Sequence, residues 1–293
     1  MKIRIVCLLL IFCLNAAAQL STLKSNIETL CKTKKATIGV ALYDFEKKDT
    51  LRINGDKHFP MQSVFKFHIA LTLINEVQEG RIFLDKKINI KKEELLPNTW
   101  SPLRDDHPNG GEFSLEDILR YMVSQSDNNA CDILIRLLGG PSVVDEYIHK
   151  IAINGCSIQV NEEEMGKTWD AQFKNWTTPK TTTFLLMLMK AYKTMYTDHN
   201  YDLLYNMMIS ATTGQNRLKK GLPQDAKLAH KTGTSGTNKD GITAAVNDIG
   251  IIELANGKEI AISVFVSNSS ESMEANEKII ADISKLVAEY FSK

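Results

Sequence analysis

The sequence predicts an α+β / α/β fold: an antiparallel sheet flanked by helices, with an all-helical domain inserted into the chain. Two strand-like runs, "ATIGVALYDFEKKDTLRIN" and "DIGIIELANGKEIAISVFVS", lie near opposite ends of the sequence. Between them apolar residues recur at helical spacing, and helix-like segments flank the strand runs on the outside. A sheet assembled from the two ends, with helices packed on it, is the simplest arrangement that covers these faces. The expected boundaries are residues 19–60 and 208–293 for the sheet-bearing domain and 61–207 for the helical one.

The chain opens on the basic Met1-Lys2-Ile3-Arg4, followed by "IVCLLLIFCL", an apolar stretch too short to span a bilayer comfortably. Small residues at Ala16 and Ala18 complete the pattern of a secretory signal, residues 1–18, cleaved before Gln19. A periplasmic or secreted protein follows. Lipid modification at Cys13 is the alternative, disfavoured by the bulky Phe12 before it.

Next, "LSTLKSNIETLCKTKK" reads as a helix and the run after it as two strands around a charged turn. Phe67, Ala70, Leu71, Ile74 and Val77 share one helix face, which Gly80 can end. Ser114 with Asp117 makes a helix start, and Leu115, Ile118, Leu119 and Met122 give its buried face. Ile133, Leu134, Leu137 and Leu138 mark a helix that stops at Gly139-Gly140, and "TTTFLLMLMKAYKTM" is another. Asn256-Gly257 between the last strand runs is a hairpin turn, and Ile279, Ile280, Ile283, Leu286, Val287 and Tyr290 stripe a final helix. The polar, acidic stretch from Gly155 to Pro179 is a long loop, and ordered loops of that length are usually functional.

With 293 residues, of which 43% are hydrophobic, the chain can bury a large core. Its 35 basic and 35 acidic side chains cancel, which removes the electrostatic case for nucleic acid or an anionic membrane surface. No stretch after the signal is long and apolar enough for a membrane span. A monomer acting on a small molecule is expected. Cys7 and Cys13 leave with the signal; Cys31, Cys131 and Cys156 read as small buried hydrophobes. There is no Cys-x-x-Cys pair and no ligand spacing among the histidines, so neither a metal nor a cofactor is expected.

Short motifs carry the chemistry. Ser63-Val64-Phe65-Lys66 alone is as well explained by a helix cap and a solvated lysine. Ser126-Asp127-Asn128 lies between two amphipathic helices, in a connection expected to face outward, and alone it is ordinary cap and turn chemistry. Lys231-Thr232-Gly233 precedes the hairpin, and Glu162 lies in the acidic loop. Their order and separations together make coincidence a poor explanation. A serine at a helix N-terminus has its hydroxyl near the positive end of the dipole, beside N–H groups that can stabilise an oxyanion. Lys66, one turn on, reaches Ser63 as base or electrostatic activator. Ser126 is placed to relay a proton to a leaving nitrogen with help from Lys231, and Asn128 offers its amide to a substrate carbonyl. The N–H groups of Ser63 and Thr234 would form the oxyanion hole, and a carboxylate such as Glu162 would activate water.

Ser63-x-x-Lys66, Ser126-Asp127-Asn128, Glu162 and Lys231-Thr232-Gly233 resemble the class A serine β-lactamases over essentially the whole mature chain. The resemblance is to the branch of extended-spectrum and Bacteroides-type cephalosporinases. It implies a serine β-lactamase / D-Ala-D-Ala transpeptidase-like fold with the site in the cleft between two domains. It also implies hydrolysis of penicillins and cephalosporins through an acyl-enzyme on Ser63, antibiotic resistance, and no metal. Glu162 is taken as the deacylating base over Glu163 and Glu164 because Met165 and "FKNWTTP" keep the loop in register with relatives. Asp240 stands where many members carry the arginine for the substrate carboxylate, and Arg217 in "TTGQNRLKKGLP" matches an alternative position. Thr232, Gly233, Thr234 and Ser235 would line the substrate strand, and Trp100 falls near the aromatic gatepost of the cleft.

The departures are Gly166, where an asparagine usually supports the hydrolytic water, and Asn175, where many members have an aspartate at the loop neck. Gln62 and Ser235 occupy the places of the cysteine pair of class A carbapenemases, so carbapenem hydrolysis is not expected. Two alternative activities are a D-alanyl-D-alanine carboxypeptidase, which lacks the deacylating loop, and a β-lactam sensor that keeps its acyl adduct, which Gly166 makes imaginable.

Overall fold

The computed structural model describes residues 20–152, 154–196 and 199–293; the expected signal, 1–18, lies outside them. A helix over 20–32, α1, leads into β1 (Thr37–Asp44), β2 (Thr50–Ile53) and the short β3 (Phe59–Pro60). The inserted segment follows: α2 (Phe65–Gln78), β4 (Lys87–Lys91), α3 (Pro102–Asp106), β5 (Gly110–Ser114), α4 (Leu115–Ser124), α5 (Asn128–Leu138) and α6 (Pro141–Ala152). It continues through β6 (Cys156–Ser157), α7 (Glu162–Met165), β7 (Trp176–Thr177), α8 (Pro179–Met195) and α9 (Asn200–Ile209). The chain closes with α10 (Leu218–Gly221), β8 (Lys227–Thr234), β9 (Thr243–Glu253), β10 (Glu259–Ser269) and α11 (Met273–Phe291).

The main sheet has five strands in the order β2-β1-β10-β9-β8, every neighbouring pair antiparallel. Residues from the two ends therefore pair directly, Val40 with Val264 for instance. The long strands read as near-continuous apolar runs because both faces are covered. Their side chains alternate between two cores, as strand geometry requires. On β10, Ile260, Ile262, Val264 and Val266 join Leu23, Ile27, Ile279 and Val287 under α1 and α11. Ala261 and Phe265, between them, join Phe59, Leu185 and the insert helices. The hairpin turn is where its sequence put it, with Gly257 at φ +82°, a conformation that favours glycine.

Every residue of α2 from Phe65 to Ile74 is buried, so this helix runs through the middle of the insert. Its N-terminal end carries Ser63 and Lys66 to the sheet. Corrections to the sequence reading are local. The segment expected to be all-helical also holds the β4–β5 ribbon and the strands β6 and β7, which join β3 in a small three-stranded sheet. One of its helices, α8, packs on the main sheet, where Thr183 Oγ1 donates to Ser263 Oγ across 2.9 Å. Cys31, Cys131 and Cys156 are unbridged; the last two are buried, whereas Cys31 is half-buried at the edge of α1. Among the described residues no cluster of ligating side chains could hold a metal ion, and no helix is long and apolar enough to cross a membrane.

Candidate active site

Ser63 lies in a single helical turn, Gln62–Val64, that leads into α2. The turn is fixed from behind. Gln62 adopts φ +47°, a strained value for a residue with a side chain, and its Nε2 donates to Gln172 Oε1 at 2.8 Å. Asn247 on β9 donates through Nδ2 to the carbonyls of Pro60 and Met61, at 2.9 and 3.1 Å. On β8, Gly233 lets the strand approach this turn; a Cβ there would come within 2.4 Å of the Met61 carbonyl oxygen. The glycine of Lys231-Thr232-Gly233 is thus a matter of space rather than of backbone conformation.

Lys66, on the same helix face one turn after Ser63, is fully buried and its Nζ meets four oxygens. These are Ser63 Oγ at 3.1 Å, the Ser126 carbonyl at 2.7 Å, Glu162 Oε1 at 2.9 Å and Asn128 Oδ1. The last three can only accept, so the amine is a donor there. Ser63 Oγ in turn donates to Glu162 Oε1 at 3.3 Å. Of the three consecutive glutamates, Glu162 is the one that turns inward. The side chains of Glu163 and Glu164 are about half exposed, beside Lys167.

The α4–α5 connection, expected to face outward, faces the cleft instead. Ser126, at φ +61°, is buried, and Lys231 Nζ donates to its Oγ at 2.8 Å. Asp127 is why this strained turn holds. Its carboxylate caps α5 by accepting from the Ala130 N–H, and accepts also from Ser101 Oγ and the Leu103 N–H. Burial nevertheless pushes its pKa above the usual carboxylate range. Lys231 is driven the other way, well below the ordinary lysine value, by burial first and by the neighbouring positive charge of Lys66 second. An amine so shifted is suited to passing a proton through Ser126.

The open part of the cleft is a pocket of about 240 Å³. Ser63, Trp100, Ser126 and Asn128 line one side; Thr213, Arg217 and Thr232 to Thr234 line the other. Trp100 stands exposed at the rim, with Nε1 donating to the Gln125 carbonyl at 2.9 Å. Asn128 Nδ2 is already engaged, with Thr99 Oγ1 at 2.7 Å. Arg217 is buried rather than solvated. Its Nη1 donates to the carbonyls of Gly233 and Asn247, Nη2 to Thr234 Oγ1 at 2.7 Å, and Nε to Glu277 Oε1 at 3.1 Å. Ser235 is the one expected substrate contact that turns away. Its hydroxyl accepts from the Ala245 N–H and donates to the Gly236 carbonyl, so it holds the end of β8 instead of lining the cleft.

Several supporting residues were missed in the sequence. Asp132, on α5, accepts the N–H groups of Glu162 and Glu163 at 2.8 and 2.9 Å, and so sets where the glutamate stands. Burial, aided by the nearby Glu162 charge, pushes its carboxyl up to about 6. At the loop neck, Asn175 Oδ1 accepts from the N–H groups of Gln159 and Val160, while Nδ2 donates to the Val160 carbonyl. The loop therefore closes through one amide where an ion pair is common. By helix spacing Asp132 falls opposite the stripe of Ile133, Leu134, Leu137 and Leu138, so nothing local marks it, and nothing local marks Thr213, Glu277 or Asn247.

A serine hydroxyl between a buried amine and a carboxylate, in a cleft between a sheet and a helical insert, defines a serine hydrolase of the acyl-transfer type. Residues 22–291 match the model of the β-lactamase enzyme family. β-Lactamase VEB-1 of Pseudomonas aeruginosa is 47% identical over 277 residues, 94% of this chain and 92% of that relative. A β-lactamase of Bacteroides uniformis is 40% identical over 272 residues, 92% of each. The crystal structure of the extended-spectrum β-lactamase TLA-1 superposes with a TM-score of 0.90 at 50% identity, covering 93% of this chain and 99% of the other. The chain belongs to the β-lactamase enzyme family, in its class A branch, and is a β-lactamase.

Proposed function

We propose that the enzyme opens the β-lactam ring of penicillins and cephalosporins through an acyl-enzyme on Ser63, from the periplasm and as a monomer, and so confers resistance. The observation that carries this reading is the chain Lys66 Nζ to Ser63 Oγ to Glu162 Oε1, at 3.1 and 3.3 Å. In it the serine proton already points at a carboxylate. Ser63 Oγ attacks the lactam carbonyl carbon as its proton leaves toward Glu162, with the Lys66 amine between them. The carbonyl oxygen gathers negative charge against the N–H groups of Ser63 and Thr234. The C–N bond then breaks, and the nitrogen takes a proton from Ser126 Oγ, which Lys231 replaces. The proton held by Glu162 returns through Lys66 to the Ser126–Lys231 pair, so Glu162 enters the second half ionised. In the second half Glu162 takes a proton from water, the hydroxide attacks the ester carbonyl, and Ser63 regains its proton as the acid leaves.

Trp100 and Asn128 would border the substrate's side chain, and Thr232, Thr234 and Arg217 its carboxylate. The domain boundaries at 19–60 with 208–293, and at 61–207, rest on the origin of the main sheet, all five of whose strands come from the first two segments, and of helices α2 to α6, which come from the third. A chromogenic cephalosporin tests the activity. Turnover far beyond one equivalent per enzyme is expected. A single burst leaving a stable adduct on Ser63 would convert the reading to that of a sensor.

A further inference from the structure

A second groove, of about 760 Å³ against about 240 Å³ for the catalytic pocket, shares no lining residue with it. It follows α8, between β1–β2 and the paired strands β6 and β7. Its size is that of sites that enclose drug-sized molecules. Ala41, Tyr43, Phe184 and Met187 make the wall largely apolar and aromatic. At one place the His58 imidazole lies on the Trp176 indole, centroids 3.5 Å apart and planes 13° from parallel.

The acidic and basic side chains around the groove have partners, with one exception. Lys180 Nζ donates to Asp56 Oδ1 at 3.2 Å. His149 Nδ1 lies 3.3 Å from Asp145 Oδ2, whose other oxygen accepts the Ile158 N–H. Arg52, exposed on the edge strand β2, has no side-chain partner among the described residues. An unmatched guanidinium at the rim of an apolar, aromatic trough suits a flat aromatic molecule with one acidic group, rings in the trough and acid on Arg52.

The wall of the groove is also the neck of the catalytic loop. Ser157 pairs with Trp176 and Cys156 with Thr177, and both strands face the groove. Asn175, next to Trp176, makes the amide clamp on residues 159 and 160. Asn161 follows directly and caps the turn that begins at Glu162, its Oδ1 accepting the Glu164 N–H at 2.9 Å. A molecule that shifts Trp176 off His58 therefore acts on a short, hydrogen-bonded path to Glu162. We propose that this groove is a second small-molecule site for a flat aromatic anion, whose occupancy moves the loop neck and slows the Glu162-dependent release of the acyl-enzyme. The coupling rests on the proposed role of Glu162; the binding does not.

The probe is 8-anilinonaphthalene-1-sulfonate, followed by its fluorescence on the native enzyme. Saturable binding of one equivalent is expected, unchanged when Ser63 is acylated by a slowly released β-lactam. It should weaken at least tenfold in Arg52→Glu and be largely kept in Arg52→Lys, both with unchanged thermal unfolding. At saturating probe, cephalosporin turnover should fall several-fold with acyl-enzyme accumulating by mass spectrometry, and Arg52→Glu should escape this. Binding that does not saturate, disappears on acylation, or ignores Arg52→Glu overturns the site. Arg52-dependent binding with undiminished turnover overturns the coupling. If no β-lactam were turned over at all, the fluorescence arm would still decide the binding, and the failure would belong to the hydrolase reading.

Discussion

Ser63 Oγ donates to Glu162 Oε1 across 3.3 Å, although the two residues are 99 positions apart. The loop that carries Glu162 is held at three points, each a different kind of contact. Asp132 accepts two backbone N–H groups at the start of α7, Asn175 clamps residues 159 and 160 before it, and Lys66 meets the carboxylate itself. The first two fix the backbone and the third fixes the side chain. Removing the carboxylate should then leave the loop closed and the nucleophile in place. Lys66 Nζ, 3.1 Å from Ser63 Oγ, can still take the serine proton, so acylation slows but survives while deacylation loses its base.

Glu162→Gln keeps the shape and the acceptor oxygen but loses the base. Acyl-enzyme should accumulate within seconds of mixing with a cephalosporin, seen by intact mass, while steady-state kcat falls by roughly 10²- to 10⁴-fold. Glu163→Gln and Glu164→Gln should change kcat less than twofold, because those side chains point to solvent. Adduct accumulation in either of them would mean that the wrong carboxylate has been assigned.

Arg217→Ala should raise KM for β-lactams by roughly 10- to 100-fold, the range for a lost charge-assisted hydrogen bond, with a smaller change in kcat. Four of its N–H groups are already used inside the protein, so the arginine offers substrate one donor and orients Thr234 as well. Arg217→Lys cannot reproduce that fork and should rescue poorly. The carbonyls of Gly233 and Asn247 lose their partner in both variants, which should lower stability by about 1–3 kcal/mol in urea unfolding. Unchanged KM with lowered stability would leave Arg217 a purely structural residue.

What the sequence disclosed was what is local or motif-borne. The Asn256-Gly257 hairpin, the start of α4 at Ser114 and the end of α2 before Gly80 follow from turn and cap chemistry within a few residues. Ser63, Lys66, Ser126, Glu162 and Lys231 were picked out because their spacing matches a known set. The Ser235 hydroxyl is spent on the end of β8, and position on a strand does not say which way a hydroxyl bonds. The β4–β5 ribbon escaped notice because "KINIK" is short and half-exposed and its partner begins with two glycines. Glu277 on Arg217 and Asn247 on Pro60 are contacts between distant segments, and no local pattern encodes them.

Gly166 can be replaced. Its backbone is helical, φ −77° and ψ −14°, and an added Cβ would meet only ordinary contacts, the nearest being the Glu162 carbonyl at 3.5 Å. Gly166→Asn should therefore fold, gaining about 0.4–1 kcal/mol from the lost freedom of the unfolded chain. It should also raise the deacylation rate several-fold in stopped-flow measurements by giving the water a second polar neighbour. A stable variant with unaltered deacylation would show that water is held without help from this position.

Stability should carry a histidine signature in acid. Burial drives the His68 imidazole from its ordinary value near 6.5 down to about 4. The ring packs edge-on against Phe67, with Nε2 unpartnered and Nδ1 3.3 Å from the Val64 carbonyl. The unfolded chain takes up the proton near pH 6.5 and the native state only near pH 4, so unfolding absorbs a proton in between. The contribution of this group is thus complete above pH 6.5 and is lost as pH falls toward 4, by roughly 2–3 kcal/mol at pH 4.5. Asp132 works in the opposite sense. Its carboxyl is raised to about 6, so the native state binds that proton first and gains stability as pH falls toward 4. Because the two windows overlap, the wild-type curve alone hides both effects. The informative quantity is the difference between His68→Phe and wild type in urea unfolding at pH 7 and pH 4.5. Phenylalanine keeps the ring and removes the proton site, so the variant should gain roughly 2–3 kcal/mol relative to wild type between the two conditions. An equal difference at both pH values would mean that this imidazole does not titrate on unfolding, and that acid sensitivity has to be sought among the carboxylates.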